Sequence, residues 1–330
     1  MTKENSSRSD VSENDAANVE ARQSMQPVKV EKYPYTAKDG KKAFYTGMII
    51  DGKPEGEGKL LFKNGNKYKG SFENGVRKGY GRMSFGDGTI FRGIYDDDHM
   101  SSGSAKTKDG RVFTGEWYDD SKGHGTIVWP DKVSKYEGDW CKLKRDGIGC
   151  MLYPDGTKYE GEWKKDIAMG IGVILSPDGS RYEGSVGTTI EHKEALYRWG
   201  KGTQIWPDGS RYEGGWVEDA MFDYGIMYYA DGSRYEGEWS LNRRLGYGIM
   251  YYADGSRYEG RWRRNRWHGE GTLYKPNGKK VHGYFYGESY KNYWVWLLLG
   301  YLEDERVQIL LYILAIVVVV LLSFFIVASG

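Results

Sequence analysis

The sequence predicts an all-β fold: an elongated, single-layer antiparallel sheet of β-hairpin repeats, followed by one C-terminal transmembrane α-helix. Three observations carry this. The phrase at residues 231–239, "DGSRYEGEW", returns almost unchanged 23 residues earlier and 23 residues later. Gly (47), Tyr (28) and Trp (12) crowd a chain with only 8 Pro, the composition of short strands joined by tight turns. Residues 307–330 are apolar apart from Gln308 and small Ser and Gly residues.

Taken in order, residues 1–30 are rich in Ser, Asn, Glu and Asp and nearly devoid of aromatics, which predicts a disordered tail. They lack the apolar core of a secretory signal. Residues 31–286 carry the repeat. Aligned on the aromatic that opens each unit, the copies start at Tyr45, Tyr68, Phe91, Phe113, Tyr136, Tyr159, Tyr182, Tyr212, Tyr235 and Tyr258, with a partial copy at Val281. The spacing is 23 except for 22 after Phe91 and 30 after Tyr182. A fixed period of this size marks an array of one supersecondary unit.

Residues 159–181, "YEGEWKKDIAMGIGVILSPDGSR", show what the unit is. Tyr159, Gly161 and Trp163 share parity and one strand face, with Glu160 and Glu162 on the other. "KKDI" reverses the chain, Gly170 and Gly172 lie two apart on the return, and "SPDGS" turns it into the next copy. Each unit is one hairpin. Glycine weakens a strand unless something large covers it, so an aromatic ladder over a glycine column is expected in place of a second layer. The row Glu160, Glu183, Glu213, Glu236 and Glu259 is expected to face solvent, paired across strands with Arg181, Arg211, Arg234 and Arg257.

The elements Tyr-x-Gly-x-Trp, Gly-x-Gly and Asp-Gly, in register about ten times over about 240 residues, resemble the MORN repeat (membrane occupation and recognition nexus). Three units depart from it. The third has Ser102 and Ser104 where the paired glycines belong. The eighth has Asp223 in place of the first glycine. The seventh has Val186 for Trp and inserts seven residues, expected to protrude as a loop that is either a partner contact or tolerated growth.

Residues 287–306 form an aromatic juxtamembrane segment, with Tyr293, Trp294, Trp296 and Tyr301 expected at a membrane interface. Two readings stand: an interfacial helix, or a cap on the open end of the array. Residues 307–328 form the transmembrane helix, since about 22 residues rising 1.5 Å each span roughly 33 Å. Ending the chain, it reads as a tail anchor inserted after synthesis, leaving the N-terminal side cytosolic. With no basic flank after it, the endoplasmic reticulum or secretory pathway is the expected membrane.

The search for chemistry gives no catalytic residue, cofactor site or metal site. His99, His124, His192, His268 and His282 are scattered over different units, and Cys141 and Cys150 make neither a metal cluster nor a disulfide framework. The net charge of +1 argues against nucleic acid. A phrase repeated as a structural rung is a poor active site, so the chain is read as non-enzymatic. One stretch stands out, residues 260–269, "GRWRRNRWHG". There Arg261, Arg263, Arg264 and Arg266, with Trp262 and Trp267, suit contact with anionic phospholipid, about 1 kcal/mol per charge, or form a solvated hairpin tip.

The sequence thus predicts a membrane-anchored scaffold or tether presenting its repeats to lipid or protein. The order of repeats and membrane span resembles the junctophilins, which bridge the endoplasmic reticulum and plasma membrane. Those proteins carry a long helical and disordered region between the two that is not found here. The alternative is a protein-protein or dimerisation module with a cytoskeletal or organelle-shaping role, its open edges available to a second copy.

Overall fold

The computed structural model describes residues 26–187 and 196–291, with three single helical positions at Val295, Ile309 and Ile313. The predicted transmembrane helix apart from Ile309 and Ile313, the interface aromatics Tyr293, Trp294, Trp296 and Tyr301, most of the tail and most of the seven-residue insertion lie outside the described residues. Among the described residues no helix is long and apolar enough to cross a membrane.

Two compact units divide the chain, Met1–Ile167 and Ala168–Gly330. In the first, strands from Val28–Thr36 through Lys158–Lys164 pair antiparallel in chain order, each with the next. The second repeats the plan from Ile167–Leu175 to Ser289–Lys291. The first strand starts at Val28, inside the stretch read as tail, and Ser289–Lys291 adds a short strand beyond residue 286.

The copy opening at Tyr235 shows how one unit is built. The strand Arg234–Ser240 and the return strand Arg243–Tyr251 are joined by Leu241 and Asn242, both left-handed (φ 48° and 65°), the two-residue turn that matches strand twist. Gly237 faces Gly248, but Glu238 faces Leu245, so Gly246 and Tyr247 are bulged out of register. Gly246 sits at φ 63°, where a side chain would be strained. After the return strand, Tyr252 N–H donates to Ser256 O (2.9 Å) and Asp254 Oδ1 accepts Ser256 N–H (2.8 Å), closing the Asp-Gly turn.

The two glycines of Gly-x-Gly therefore do different work. The first makes the bulge. The second lies under the Tyr ring of its own hairpin: a Cβ at Gly248 would run into the Tyr235 ring and hydroxyl, and one at Gly237 into that hydroxyl and the facing backbone. That hydroxyl reaches over the pair and donates to Glu238 O at 3.2 Å. The same bond recurs from Tyr45, Tyr68, Tyr136, Tyr159, Tyr182, Tyr212 and Tyr258 to the carbonyl three residues on. Phe91 and Phe113 fill the same positions without it.

The ladder supplies the missing core. Tyr212, Tyr235 and Tyr258 are fully buried, and Trp216, Trp239 and Trp262 almost so. Each Trp lies edge-to-face between the Tyr of its own unit and that of the one before, at 5.1–5.7 Å between centroids from Tyr182–Trp216 to Tyr258–Trp262. Each such pair adds about 0.5–1.5 kcal/mol to the burial itself. The indole N–H also finds a partner: Trp163, Trp216, Trp239 and Trp262 donate to the second glycine of the preceding unit, Gly149, Gly202, Gly225 and Gly248, at 3.1–3.2 Å.

The departures resolve on this frame. In the third unit Gly103, between Ser102 and Ser104, pairs with Gly93 and Gly115, so the glycine column is intact and the bulge is one residue short, Ser101 alone standing out of register. That shortening is the 22-residue spacing. The fourth hairpin pairs straight through with no bulge. The carbonyls over which Trp117 and Trp140 lie are displaced accordingly, and both buried indole N–H groups are left without an acceptor. Asp223 makes the bulge of the eighth unit at φ 60°, as glycine does elsewhere.

Candidate functional site

The basic tip belongs to the hairpin of Arg257–Arg263 and Arg266–Tyr274. Parity with Tyr258 decides where its side chains go. Trp262 shares that parity and is buried, donating to Gly248 O (3.1 Å) beneath the Arg244 guanidinium, which is 4.4 Å from its ring. Trp267 is its register partner, stacked on Tyr258 at 4.3 Å and 9° with its N–H on Tyr252 Oη (3.1 Å). Both tryptophans are ladder residues, and the contact surface read from the sequence reduces to the arginines.

Those remain exposed. Arg263 faces Arg266 directly across the tip, an unfavourable like-charge pair, and Arg264 with Asn265 forms the left-handed turn. Arg263, Arg264 and Arg266 come together with Trp267, His268, Tyr286 and Gly287 around a cavity of about 230 Å³. Arg261 stands apart on the outer face, opposite Tyr247.

That outer face carries a second pattern. Arg181, Arg211, Arg234 and Arg257 bond Glu183, Glu213, Glu236 and Glu259 at 2.6–3.3 Å, two residues along the same strand rather than across strands. Their cross-strand neighbours are aromatic: Arg211, Arg234 and Arg257 lie over Tyr228, Tyr251 and Tyr274 at 4.2–4.5 Å. Beside this row Ile171, Tyr224 and Tyr247 are more than half exposed.

A set of residues the sequence reading missed ties neighbouring units together. Asp98 accepts Arg77 N–H (2.8 Å) and Nε (3.0 Å), and Asp166 and Asp219 do the same for Arg145 and Arg198. Asn265 serves Arg244 N–H, and Asn242 serves Met221 N–H. Each acceptor is the second, left-handed residue of a hairpin tip, 21 residues beyond its donor. The guanidinium meanwhile stacks on the next ring of the ladder, Arg145 lying 4.0 Å from Trp163. An Arg followed 21 residues later by Asp or Asn was the available signal. Burial opposes ionisation of Asp98, but the Arg77 and Lys38 N–H groups and the Arg77 guanidinium outweigh it and hold its carboxyl below the usual range. Burial likewise lifts the ladder phenols Tyr212, Tyr235 and Tyr258 well above the ordinary tyrosine range.

Among the described residues no group of three His, Cys, Asp or Glu is placed to hold a metal ion. Cys141 and Cys150 are free and half-buried.

The MORN repeat profile matches nine segments: 45–67, 68–90, 113–133, 136–158, 159–181, 197–211, 212–234, 235–257 and 258–280, more than half of the chain. The chain belongs to the MORN-repeat family. The unmatched copies of the array include the irregular third unit and the first strand of the seventh, whose MORN signatures are degraded by Gly103's shifted place and by Val186. No curated protein matches this MORN array. Among solved structures, the TCP10 domain of Danio rerio CPAP in complex with a STIL peptide is 14% identical, covering 78% of this chain and 100% of that one at a TM-score of 0.29. The SAS-4 TCP domain of Drosophila melanogaster, bound to a proline-rich motif of Ana2, is also 14% identical, covering 70% and 85% at a TM-score of 0.17. Virginiamycin B lyase from Staphylococcus aureus is 11% identical, covering 81% and 89% at 0.13. At these scores the likenesses carry no argument about function.

Proposed function

We propose that this MORN-repeat chain is a non-enzymatic scaffold, held on a membrane by residues 307–328 with its repeats in the cytosol, that presents an open sheet face to protein partners. One observation carries the protein-binding part. The second unit leaves Ile171, Tyr224 and Tyr247 exposed beside rows of Arg, Glu and Tyr. Exposed aromatics amid charge are the composition of a protein interface. The apolar length of residues 307–328 supports the anchor, and the endoplasmic reticulum is the favoured membrane.

The exposed arginines favour a second role, electrostatic contact with anionic headgroups by Arg261, Arg263, Arg264 and Arg266. With Trp262 and Trp267 buried, that contact has no inserting side chain and depends on salt alone. Both parts are testable. A glycosylation sequon appended after Gly330 becomes modified if the anchor enters the endoplasmic reticulum; an unmodified tag in a carbonate-resistant protein refutes that membrane. The array, residues 26–291, floats with anionic liposomes at low salt and releases as salt rises, and changing the four arginines to Glu abolishes flotation. Flotation on neutral liposomes, or flotation surviving those changes, refutes the electrostatic contact.

A further inference from the structure

One row on the outer face of the second unit crosses six consecutive strands, from Tyr197–Ile205 to Arg257–Arg263. Register places Lys201 opposite Gly215, Tyr224 opposite Glu238 and Tyr247 opposite Arg261, with Tyr224 and Tyr247 in the bulged places of their strands. Tyr224 is 58% exposed and Tyr247 51%. Between them Glu238 does not stand up from the sheet. Its Oε1 accepts Tyr247 N–H at 2.8 Å, and its carboxylate lies where a Cβ on Gly246 would be. One hairpin earlier the same place is held by Gly215, which has no side chain. The row therefore holds two shallow troughs, floored by Gly215 and Glu238 and parted by Tyr224. Phe222 and Leu245, the register partners of those floors, wall the tip side and are 43% and 42% exposed. Both ends are cationic. Lys201 and Arg261 make no ion pair among the described residues, whereas Arg211, Arg234 and Arg257 beside them are each bonded to a Glu.

We propose that this row docks a polyproline II segment of a protein partner, laid across the strands. Prolines three residues apart fill the two troughs, and an acidic residue at each end meets Lys201 and Arg261. The inference rests on the protein-binding reading above and names the partner's chemistry. Pitch selects the conformation. The troughs lie two strands apart, about 9.6 Å. A polyproline II chain rises about 3.1 Å per residue with three residues per turn, so residues i and i+3 fall on one side about 9.3 Å apart. An extended strand sets same-face residues about 6.8 Å apart and misses the second trough. It finds no edge to pair with either, since all six strands are paired on both sides. Proline has no N–H, so its burial on a surface whose backbone groups are already bonded leaves no donor unpaired. Charge sets the ends: Lys201 and Arg261 are five strands apart, about 24 Å, which about eight polyproline II residues cover.

The full-length chain in neutral-lipid nanodiscs is titrated with the fluorescein-labelled peptide Glu-Pro-Pro-Pro-Pro-Pro-Pro-Glu-amide, and binding is read by anisotropy. The expected result is saturable binding, at least tenfold tighter than that of the same peptide with Lys in place of Glu or with Ala in place of Pro. Tyr224→Ala, at an exposed position, keeps the far-ultraviolet circular dichroism and weakens binding at least fivefold. Lys201→Glu with Arg261→Glu gives the row the residue other repeats carry there, as Glu270 and Glu162 show, and weakens binding at least tenfold. Equal binding of the Ala or the Lys peptide, or indifference to Tyr224→Ala, overturns the proposal. A chain with Tyr224→benzoylphenylalanine, irradiated in cells, separates it from the reading beneath it. Crosslinks to a proline-rich segment agree with it, and crosslinks to a protein segment without proline overturn the docking while partner binding stands. Crosslinks to lipid alone, or none, remove both.

Discussion

Asp98→Ala is the perturbation that most directly tests how the units hold one another. It removes the acceptor from Arg77 N–H (2.8 Å), Arg77 Nε (3.0 Å), Lys38 N–H (3.0 Å) and the Tyr35 hydroxyl (3.1 Å) together. The Arg77 side chain is 5% exposed and that of Asp98 3%, so the guanidinium is left buried without its counter-charge, holding only the carbonyl of residue 98. Breaking a buried pair from one side costs about 3–5 kcal/mol. At about 2–4 °C per kcal/mol for a body of this size, the melting temperature falls by roughly 6–20 °C. Asp219→Ala cuts an equivalent clamp whose carboxylate is 42% exposed, where solvent screens the loss to about 1 kcal/mol. Asp98→Asn keeps one acceptor oxygen, as Asn265 does for Arg244, and falls between the two. Circular dichroism melts of residues 26–291 rank the three, and hydrogen exchange places the Asp98 loss around Arg77. Equal destabilisation by Asp98→Ala and Asp219→Ala would refute burial as the deciding quantity.

Other expectations follow from the same geometry. Gly248→Ala drives a Cβ into the Tyr235 ring and costs about 1–3 kcal/mol in a urea melt, whereas Gly232→Ala, with nothing within 4 Å, meets only the strain of φ 85°. Trp239→Phe orphans Gly225 O and destabilises by about 1 kcal/mol more than Trp117→Phe, whose indole N–H has no acceptor to lose. On acidification, Asp98 and the turn residues Asp208, Asp231 and Asp254, the last three held low by Ser hydroxyl and N–H donors, all titrate below the usual range. Depressed folded values mean stability that is present above about pH 4 and lost as pH falls through them, so melts are flat from pH 7 to 5 and drop below 4. Asp98→Asn flattens part of that drop.

The Tyr-x-Gly-x-Trp phrase revealed the hairpin, its parity and the ladder, because a period of two and a period of 23 are both set by local backbone geometry. What escaped the sequence was whatever a one-residue change in a bulge displaces. Ser102 and Ser104 read as lost glycines only while the third unit was aligned at the full period; the shorter bulge puts Gly103 there instead. Trp262 and Trp267 looked like surface residues among arginines, although Trp262 shares parity with Tyr258 just as Trp163 does with Tyr159. The tip acceptors were invisible for another reason. Asp and Asn in a turn read as turn formers, and only the folded register shows them reaching the Arg of the preceding hairpin.

The clamps also bear on how the chain acquires and loses its structure. Within each unit every strand pairs with its neighbour in sequence, and a clamp spans 21 residues, about one repeat. Contacts so short in sequence close quickly and allow a hairpin to dock on its predecessor as soon as it leaves the ribosome. Pulled from one end, the same wiring yields a rung at a time. Under load the array would then release about 23 residues per step, a ratchet of graded resistance in place of a single brittle rupture.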